Sequence, residues 1–353
     1  MLTVLSNIVR QTHDRVGTGA HNKPELRQKL VVEAIQRTFS ECQILLSSKT
    51  VSDEWLANVH DKSYIEFLEY AFTEWQKMKD PDWEDSTGGL VPNHFYKRKP
   101  HADVPVYKLS GWFGTDTMTP IFKDTYQNAM IAAQQAYRAA DMAVEAEENS
   151  VVYVLACSPG HHANFNEYGG YCFVNNACVA AYRLLELGKT RVAILDIDFH
   201  AGQGTASLVI TNPKFKGKVM ACSIHVDPSV DYPSFEGYED DYPDNEYVVN
   251  VPLNSKAGWE EYQDALETVC DKIKKWAPDG LIIAFGADTY KEDPDASSLG
   301  RFSIEMEDYD KMGQTIRSKF ACIPIIVTQE GGYCMEKVPE IVCRFLKNLI
   351  PGS

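Results

Sequence analysis

Asp196, Asp198 and His200 alternate with apolar residues, and such a pattern could build a metal site. Alternate side chains of an extended segment point to one face, so both carboxylates and the imidazole can lie together. These ligands suit Zn²⁺, Fe²⁺ or Mn²⁺, and Asp288 could add a further oxygen. Catalytic zinc sites keep three protein ligands and an open position, which this set would allow. Taken alone, such a triplet is more often a strand end with solvated carboxylates.

Two further signals come from residues that could act on a substrate. His161 and His162 are adjacent after a glycine, and two imidazoles can flank a water molecule held by a metal. Tyr333 follows Gly331 and Gly332, which let the backbone approach a ligand, and its phenol could donate to a developing oxyanion. Singly, each has an ordinary explanation, either a buried histidine or a packed tyrosine ring. Together with the metal-binding side chains they predict a catalytic site.

The elements that must position these residues are apolar, β-branched segments that alternate with helical patterns. Strands are predicted at residues 151–157, 192–198, 219–225, 247–252, 281–285 and 323–328. Helices are predicted at residues 25–39, 51–79, 125–147, 173–187, 259–276, 305–320 and 338–350. This alternation is typical of an α/β fold with a mostly parallel sheet and helices on both faces. Ligand sites of such sheets lie beyond the carboxyl ends of the strands, where the candidate residues fall.

Residues 80–120 interrupt the alternation. This segment contains five prolines, four glycines and the aromatic residues Trp83, Trp112 and Phe113. A loop this long in a compact domain is usually functional. We therefore expect one domain over residues 1–353 that carries an elaborate loop, rather than two domains joined by a linker.

Composition and charge narrow the class of protein. The chain has 353 residues, of which 44% are hydrophobic and 24% charged, and this excludes a disordered protein. Its net charge of −16 opposes direct binding to nucleic acid or to an anionic membrane. Its apolar runs are shorter than the ~20 residues of a membrane-spanning helix, and its first residues do not predict a signal peptide. Nine scattered cysteines indicate reduced thiols and a cytoplasmic location.

The candidate residues lie in motifs that resemble the zinc-dependent histone deacetylase family, and its acetylpolyamine amidohydrolase branch most closely. The resemblance runs from about His21 to the C-terminus, and its tightest stretches are residues 159–176, 193–204, 284–294 and 330–333. It implies an arginase/deacetylase-like fold with the active site at the carboxyl ends of the strands. It also implies a metal-dependent amidohydrolase that removes an acetyl or other acyl group from an amine, and a homodimer.

The resemblance assigns the metal and the reaction by position. Asp198, His200 and Asp288 are implied to bind one zinc ion per chain, with Fe²⁺ as an alternative. The implied reaction is metal-assisted hydrolysis, in which the ion lowers the pKa of water towards 7 and polarises the amide oxygen. Acetate and a free amine are the products.

The resemblance also assigns the catalytic side chains. His162 is implied as the general base and then the general acid, while His161, paired with Asp196, supplies electrostatic stabilisation. Tyr333 is implied to polarise the scissile carbonyl and, together with the metal, to stabilise the oxyanion.

Substrate and ion contacts are implied by the same motifs. Gly170 would accept a hydrogen bond from the substrate amide, and Tyr171 would line an acyl-lysine-sized tunnel. Polyamine-specific relatives carry acidic residues in the long loop, where Asp116 is the nearest carboxylate of this chain. A structural K⁺ or Na⁺ ion is implied at a group of oxygen ligands, namely Asp196, Ser223 and the backbone near Asp198, His200 and Ile224.

The chain departs from the family pattern just after the zinc histidine. The family usually reads His-Gly-Asp or His-Gly-Asn there, whereas this chain reads Ala201-Gly202-Gln203. Gln203 falls where a shorter carboxylate or amide would orient His162. A neutral glutamine cannot raise the pKa of that histidine as a carboxylate could, so we predict an altered pH profile.

The residues leave the substrate class open. One alternative is an acetylpolyamine or similar small acylated amine, and the other is the acetyl-lysine of a protein such as a histone. An arginase-like enzyme would need a second carboxylate near Asp288, which the two residues after it do not provide. A decayed family member that only binds is disfavoured, because the metal ligands, both histidines and the tyrosine are retained.

Overall fold

Eight parallel strands form one sheet at the centre of the protein. The computed structural model describes residues 1–7, 24–47, 54–146, 150–297 and 299–350. The strands in these residues are β1 (Leu2–Asn7), β2 (Cys42–Ser47), β3 (Val151–Leu155), β4 (Val192–Asp196), β5 (Val219–Val226), β6 (Val248–Leu253), β7 (Gly280–Phe285) and β8 (Ile325–Gln329). Their order across the sheet is β2-β1-β3-β8-β7-β4-β5-β6, and every pairing is parallel.

Helices cover both faces of this sheet. In the described residues they are α1 (Pro24–Thr38), α2 (Lys62–Met78), α3 (Ser110–Phe113), α4 (Thr125–Glu145), α5 (Asn176–Glu186), α6 (Gln203–Thr211), α7 (Trp259–Trp276), α8 (Asp308–Lys319) and α9 (Val338–Leu349). One apolar core includes side chains of α1, α7, α8 and α9, and a second includes those of α2, α4, α5 and α6. Alternate residues of β4 contribute to the two cores, because successive side chains of a strand point to opposite faces.

The structure confirms the predicted fold class and the six predicted strands to within a few residues. The elements β1, β2, α3 and α6 are not among those predicted from the sequence. Both strands have six residues and obtain their hydrogen bonds from partners distant in sequence, which local patterns do not report. Gly202 and Gly204 flank the start of α6, and glycine has low helix propensity. None of the described helices combines the length and apolar character needed to cross a membrane.

Helix α2 is shorter than the predicted helix at residues 51–79. Asp61 ends the preceding segment by capping α2, since its Oδ1 accepts from the backbone N–H groups of Ser63 at 2.8 Å and Tyr64 at 3.2 Å. Residues 54–58 form a separate 3₁₀ turn. Two of the predicted helices include residues outside the described part of the chain, namely 51–53 and 147. The family resemblance likewise begins at residues 21–23, which are outside it too.

The long loop at residues 80–120 packs against the body of the protein. Trp83 and Tyr107 are each only 2% exposed, and their rings meet edge to face with centroids 5.9 Å apart. The Tyr107 hydroxyl donates to Asp80 Oδ2 at 2.7 Å. Leu90 forms an antiparallel bridge with Ile121, which draws the two ends of the loop together. The apolar residues of this loop therefore extend the second core.

Candidate active site

The three predicted metal ligands converge beyond the carboxyl ends of two neighbouring strands. Asp198 and His200 follow β4, and Asp288 follows β7, which pairs with β4. One ligand atom of each residue lies within 4.8 Å of the others, and all three residues are buried. The Nδ1 atom of His200 is 3.4 Å from Asp198 Oδ1 and 3.5 Å from Asp288 Oδ2. The structure thus forms one compact set of nitrogen and oxygen ligands.

The chemistry of this set fits a divalent cation. Asp288 Oδ1 accepts from the backbone N–H of Phe199 at 3.1 Å, whereas its Oδ2 is buried without a hydrogen-bond partner in the described residues. Burial and the neighbouring charge of Asp198 raise the pKa of Asp288. A cation between the carboxylates would relieve both penalties, and zinc prefers such oxygen and nitrogen ligands.

Two glycines leave the space that the carboxylates occupy. A Cβ atom on Gly331 would stand 1.9 Å from Asp288 Oδ2, and one on Gly286 would stand 2.1 Å from Asp198 Oδ2. The Gly331 N–H also donates to Asp198 Oδ2 at 2.7 Å. A side chain at either glycine would therefore displace a candidate metal ligand.

His161 and His162 follow β3 and lie beside the metal-binding residues. Their ring centroids are 3.9 Å apart, and His161 Nε2 is 3.7 Å from Asp198 Oδ1. His161 Nδ1 donates to Asp196 Oδ2 at 3.0 Å, whereas His162 Nδ1 donates to Gln203 Oε1 at 2.7 Å. Since a carboxylate and an amide oxygen only accept, each ring carries a hydrogen on Nδ1.

The two rings differ in their preferred charge. Burial favours a neutral His161, but the charges of Asp198 and Asp196 outweigh it and raise the pKa of His161 to about 10. Burial, together with the positive charge of the neighbouring His161, holds the pKa of His162 well below its usual range. His162 therefore keeps a lone pair on Nε2, which is the state that a general base needs.

Glu330 anchors the turn that presents the two histidines. Its side chain is fully buried, and Oε2 accepts from the backbone N–H groups of Gly160 at 2.6 Å and His161 at 3.1 Å. Its Oε1 accepts from the Thr328 hydroxyl at 2.9 Å. Glu330 has no role predicted from the sequence, although it lies directly after a buried strand and begins the family motif at residues 330–333.

Tyr333 joins this group from the loop after β8. Its backbone N–H donates to Asp293 Oδ2 at 2.7 Å, and the preceding Gly332 has a φ of 118°, which favours glycine. The Arg27 guanidinium lies 5.8 Å from the Tyr333 ring centroid and donates to the Gly332 carbonyl at 3.2 Å. Separate contacts therefore hold the backbone and the ring of Tyr333. Its side chain lines the same cavity as His162.

A family model for the histone deacetylase domain matches residues 21–349, which include every residue of this group. The chain belongs to the histone deacetylase family. It is therefore a deacetylase, a hydrolase of amide bonds, and the resemblance of its motifs to this family is confirmed.

Relatives of this deacetylase share nearly its whole length. Acetylpolyamine amidohydrolase 1 of Pseudomonas aeruginosa is 35% identical over 301 residues, which cover 83% of this chain and 82% of that protein. Acetylpolyamine amidohydrolase 2 of the same species is 32% identical over 350 residues, which cover 96% and 95%. The crystal structure of acetylpolyamine aminohydrolase from Burkholderia pseudomallei superimposes with a TM-score of 0.84 at 26% identity, covering 99% of this chain and 98% of that one. The arginase/deacetylase-like fold is thus confirmed.

His161, His162, Tyr333 and the candidate metal ligands line one cavity of about 130 Å³. Three histidines, three tyrosines and four aspartates contribute to its wall. Neither lysine nor arginine occurs among the described residues that line it. The cavity is therefore rich in negative charge.

Gly170 and Tyr171 form one side of this cavity in an unusual backbone conformation. Their φ angles are 53° and 66°, and a Cβ on Gly170 would stand 2.1 Å from His162 Cδ2. Tyr171 donates through its backbone N–H to Thr119 Oγ1 at 3.0 Å and through its hydroxyl to Asp295 Oδ1 at 3.5 Å. Tyr171, which is predicted to line a tunnel, is among the residues that line this cavity.

Asp116 supports the turn at Gly170 and is not among the residues that line the cavity. Its Oδ2 accepts from the Gly170 N–H at 2.7 Å, and its Oδ1 accepts from the Met118 N–H at 2.8 Å. The cavity carboxylates other than the metal-binding pair are instead Asp231 and Asp295. Sequence reasoning missed both, because Asp231 lies in an irregular loop and Asp295 stands one residue beyond a family motif.

Asp196 and Ser223, which are predicted to bind a monovalent cation, lie on neighbouring strands beside His161. Asp196 and Ser223 are register partners on β4 and β5, and they line a small cavity of about 10 Å³. Ile224 follows Ser223 on β5. The Ser223 hydroxyl is 2.7 Å from His225 Nδ1, and His225 Nε2 is 2.7 Å from the Gly237 carbonyl oxygen. His225 is thus hydrogen-bonded at both ring nitrogens.

The two residues that depart from the family pattern, Gln203 and Ala201, have different surroundings. Gln203 is the first residue of α6 and keeps a hydrogen bond to His162. Ala201 is buried, and a Cβ on Gly237 would stand 2.5 Å from the Ala201 Cβ. The loop after β5 therefore fills the space beside the small side chain.

Proposed function

We propose that this protein is a metal-dependent deacetylase that hydrolyses the amide of a small N-acylated amine, with acetylated polyamines as the substrate type. The observation that carries the proposal is the cavity in which the buried Oδ2 of Asp288, which has no hydrogen-bond partner in the described residues, stands with His162 and Tyr333. The relatives named acetylpolyamine amidohydrolase support the substrate type.

Asp198, His200 and Asp288 would hold the metal, and zinc is the ion that fits this set best. When bound, the ion polarises the amide carbonyl and lowers the pKa of water. The Gly331 N–H and the Phe199 N–H each fix one carboxylate oxygen, which orients the ligands in advance.

His162 acts as the general base and then as the general acid. Its Nδ1–H is bonded to Gln203, so the lone pair on Nε2 receives the proton of the attacking water. The imidazolium then transfers that proton to the leaving amine as the C–N bond breaks. Water is thereby divided between acetate and a free amine.

His161 and Tyr333 stabilise the negative charge that develops on the carbonyl oxygen. His161 keeps its positive charge between Asp196 and Asp198. Burial raises the pKa of Tyr333 well above its usual range, so the phenol keeps its proton and remains a hydrogen-bond donor.

We also propose that Asp196, Ser223 and the backbone oxygens near Asp198, His200 and Ile224 hold a structural monovalent cation. The shared register of Asp196 and Ser223 and the cavity beside them support this. Because Asp196 also bonds His161, replacing K⁺ in the buffer by tetramethylammonium should lower kcat.

The substrate proposal is tested with zinc-loaded protein and two kinds of acetylated amine. Acetate release is measured from acetylputrescine and acetylcadaverine and from an acetyl-lysine peptide. We expect a higher kcat/KM for the acetyldiamines and loss of activity with a chelator. A preference for the peptide would make the protein a protein deacetylase, and no release from either class by metal-loaded protein would contradict the proposal.

A further inference from the structure

Asp293 is a fully buried carboxylate in the loop after β7, and it has no part in the reaction proposed above. Its side chain accepts from three backbone N–H groups. Oδ2 accepts from Tyr333 at 2.7 Å and from Cys334 at 2.9 Å, and Oδ1 accepts from Asp295 at 3.1 Å. The carboxylate therefore joins the loop after β7 to the loop after β8, which carries Tyr333.

One of these bonds holds the peptide group that leads into Tyr333. The Gly332 carbonyl and the Tyr333 N–H belong to this single peptide group. The Arg27 guanidinium donates to the carbonyl at 3.2 Å, and Asp293 Oδ2 accepts from the N–H at 2.7 Å. A cation and an anion thus bind opposite ends of one peptide dipole, and hydrogen bonds to charged groups are stronger than those between neutral groups.

The residue before Tyr333 gives this peptide group little local restraint. Gly332 has a φ of 118°, and the backbone of glycine is freer to rotate than that of any other residue. A larger residue could not supply the missing rigidity, because a Cβ at this position would stand 2.7 Å from the Ala287 Cβ. Rotation of the peptide group would carry the Tyr333 ring away from the cavity that it lines with His162.

We propose that Asp293 is a positioning residue for the deacetylase reaction, because it holds the peptide group that directs the Tyr333 phenol into the cavity. This inference rests on the proposed function, since it concerns the donor assigned there to the oxyanion. Asp293 is not among the residues that line the cavity, so it acts through Tyr333 and not on the substrate. A displacement of about 1 Å in a reacting group can lower a rate by about 10²-fold.

The test is a double-mutant cycle that combines Asp293→Ala with Tyr333→Phe. Acetate release from acetylputrescine is measured with zinc-loaded protein. We expect Asp293→Ala alone to lower kcat by about 10- to 100-fold, with a change in KM of less than about threefold. In the Tyr333→Phe protein, the same change should lower kcat by less than about threefold, because the hydroxyl that it positions is absent. Equal factors in the two backgrounds would assign Asp293 a structural role and overturn the inference.

A conservative variant adds a rescue arm to the cycle. Asp293→Asn keeps the shape of the side chain and one acceptor oxygen, so it should recover part of the kcat that Asp293→Ala loses. Its remaining loss should again be absent in the Tyr333→Phe protein. If Asp293→Ala does not fold, Asp293→Asn takes its place in the cycle, and equal factors in the two backgrounds would then overturn the inference.

Asp279→Ala is the matched control, because Asp279 also joins two separate segments through backbone N–H groups. Its Oδ2 accepts from Thr190 at 2.8 Å, and its Oδ1 accepts from Arg191 at 3.0 Å. These residues precede β7 and β4, so they lie at the amino ends of the strands, opposite the cavity. We expect kcat and KM of Asp279→Ala to match those of the unmodified protein. A loss of kcat as large as that of Asp293→Ala would contradict a specific action on Tyr333.

The position of Tyr333 gives a second readout that needs no turnover. Crystal structures should show its phenol displaced from the cavity in Asp293→Ala and in place in Asp279→Ala. A Tyr333 ring that keeps its place in Asp293→Ala would overturn the inference and leave the deacetylase proposal intact. If even the unmodified protein releases no acetate, the proposed function fails, while the position of Tyr333 still decides the role of Asp293.

Discussion

A neutral neighbour orients His162, the proposed general base, while burial and a nearby charge set its proton affinity. Gln203 accepts from its Nδ1–H at 2.7 Å and adds no charge. Burial and the positive charge of His161 then hold the pKa of His162 well below its usual range. A neutral partner therefore keeps the ring ready to accept a proton, at the expense of a weaker base.

Changing Gln203 to glutamate should shift the acid limb of the pH profile of kcat/KM. Gln203→Glu keeps the length of the side chain and adds a negative charge beside His162, which raises the pKa of that ring. Since the ring must be neutral to act as base, the acid limb of kcat/KM should shift to higher pH by about one unit. Gln203→Asn, shorter but neutral, should not produce this shift. A glutamate variant with the same limb as the unmodified protein would show that the charge at this position is unimportant.

The substitution Tyr333→Phe removes the phenol hydroxyl and keeps the aromatic ring, so it tests the hydroxyl alone. The ring keeps its contact with Arg27, because that contact involves the aromatic face. We expect kcat to fall by about 10²- to 10³-fold, as for loss of one oxyanion donor, with a small change in KM. Zinc content and the unfolding temperature should match the unmodified protein, so a large loss of either would assign Tyr333 a structural role instead.

The loop after β8 contacts the candidate metal ligands and carries Tyr333 within four residues. Glu330 holds the histidine turn, the Gly331 N–H bonds Asp198, and Gly332 turns the chain towards Tyr333. The Arg27 guanidinium bonds the Glu330 carbonyl at 3.0 Å and so ties this loop to α1. One short segment thus positions groups from three strands, and a change within it should affect several of them.

Gly331→Ala should damage the metal site more than the fold. The added Cβ would overlap Asp288 Oδ2 and approach Asp198 Oδ2 to 2.7 Å, so both ligands must move. We expect zinc affinity to fall at least tenfold and the rise in unfolding temperature on adding zinc to shrink accordingly. Gly258→Ala is the matched control, because a Cβ there meets no atom within 4 Å. Equal zinc affinity in both variants would contradict the close packing of Gly331 on the ligands.

Acid stability depends on a histidine outside the catalytic group that joins distant parts of the chain. His60 is fully buried, donates through Nδ1 to the Asn164 carbonyl at 2.7 Å and accepts at Nε2 from the Asn175 N–H at 3.0 Å. Burial lowers the pKa of His60 to about 4. Asn175 caps α5, so this ring connects the turn before α2 to the start of α5. A protonated Nε2 could not accept that bond.

The lowered pKa of His60 determines how the free energy of unfolding changes with pH. With about 6.5 as the pKa in the unfolded chain, the contribution of His60 is complete above pH 6.5 and is lost as the pH falls towards 4. The loss should amount to about 3 kcal/mol of the free energy of unfolding. Urea unfolding at several pH values should show a correspondingly smaller acid loss in His60→Gln, which can keep one donor and one acceptor. His94→Gln, on an exposed side chain, should retain the full loss. Identical acid profiles for His60→Gln and the unmodified protein would refute the assignment.

Six of the eight strands and the main candidate residues could be predicted from the sequence. Strands β3 to β8 are short apolar runs between helical patterns, and the polar side chains after them are local features of the chain. Because parallel strands end at one edge of the sheet, the convergence of Asp198, His200 and Asp288 could be predicted without knowing the strand order. The family could also be predicted from the sequence, because each of its motifs is a contiguous stretch of residues.

Only the tertiary structure decided which side chains share the cavity and which support it. Asp116 appeared from the sequence to be the substrate carboxylate, yet its oxygens accept from backbone groups at Gly170 and Met118. Asp231 and Asp295 enter the cavity because two loops from separate strands meet there. The partner of a side chain depends on contacts between residues far apart in sequence, and a local pattern carries no information about such contacts.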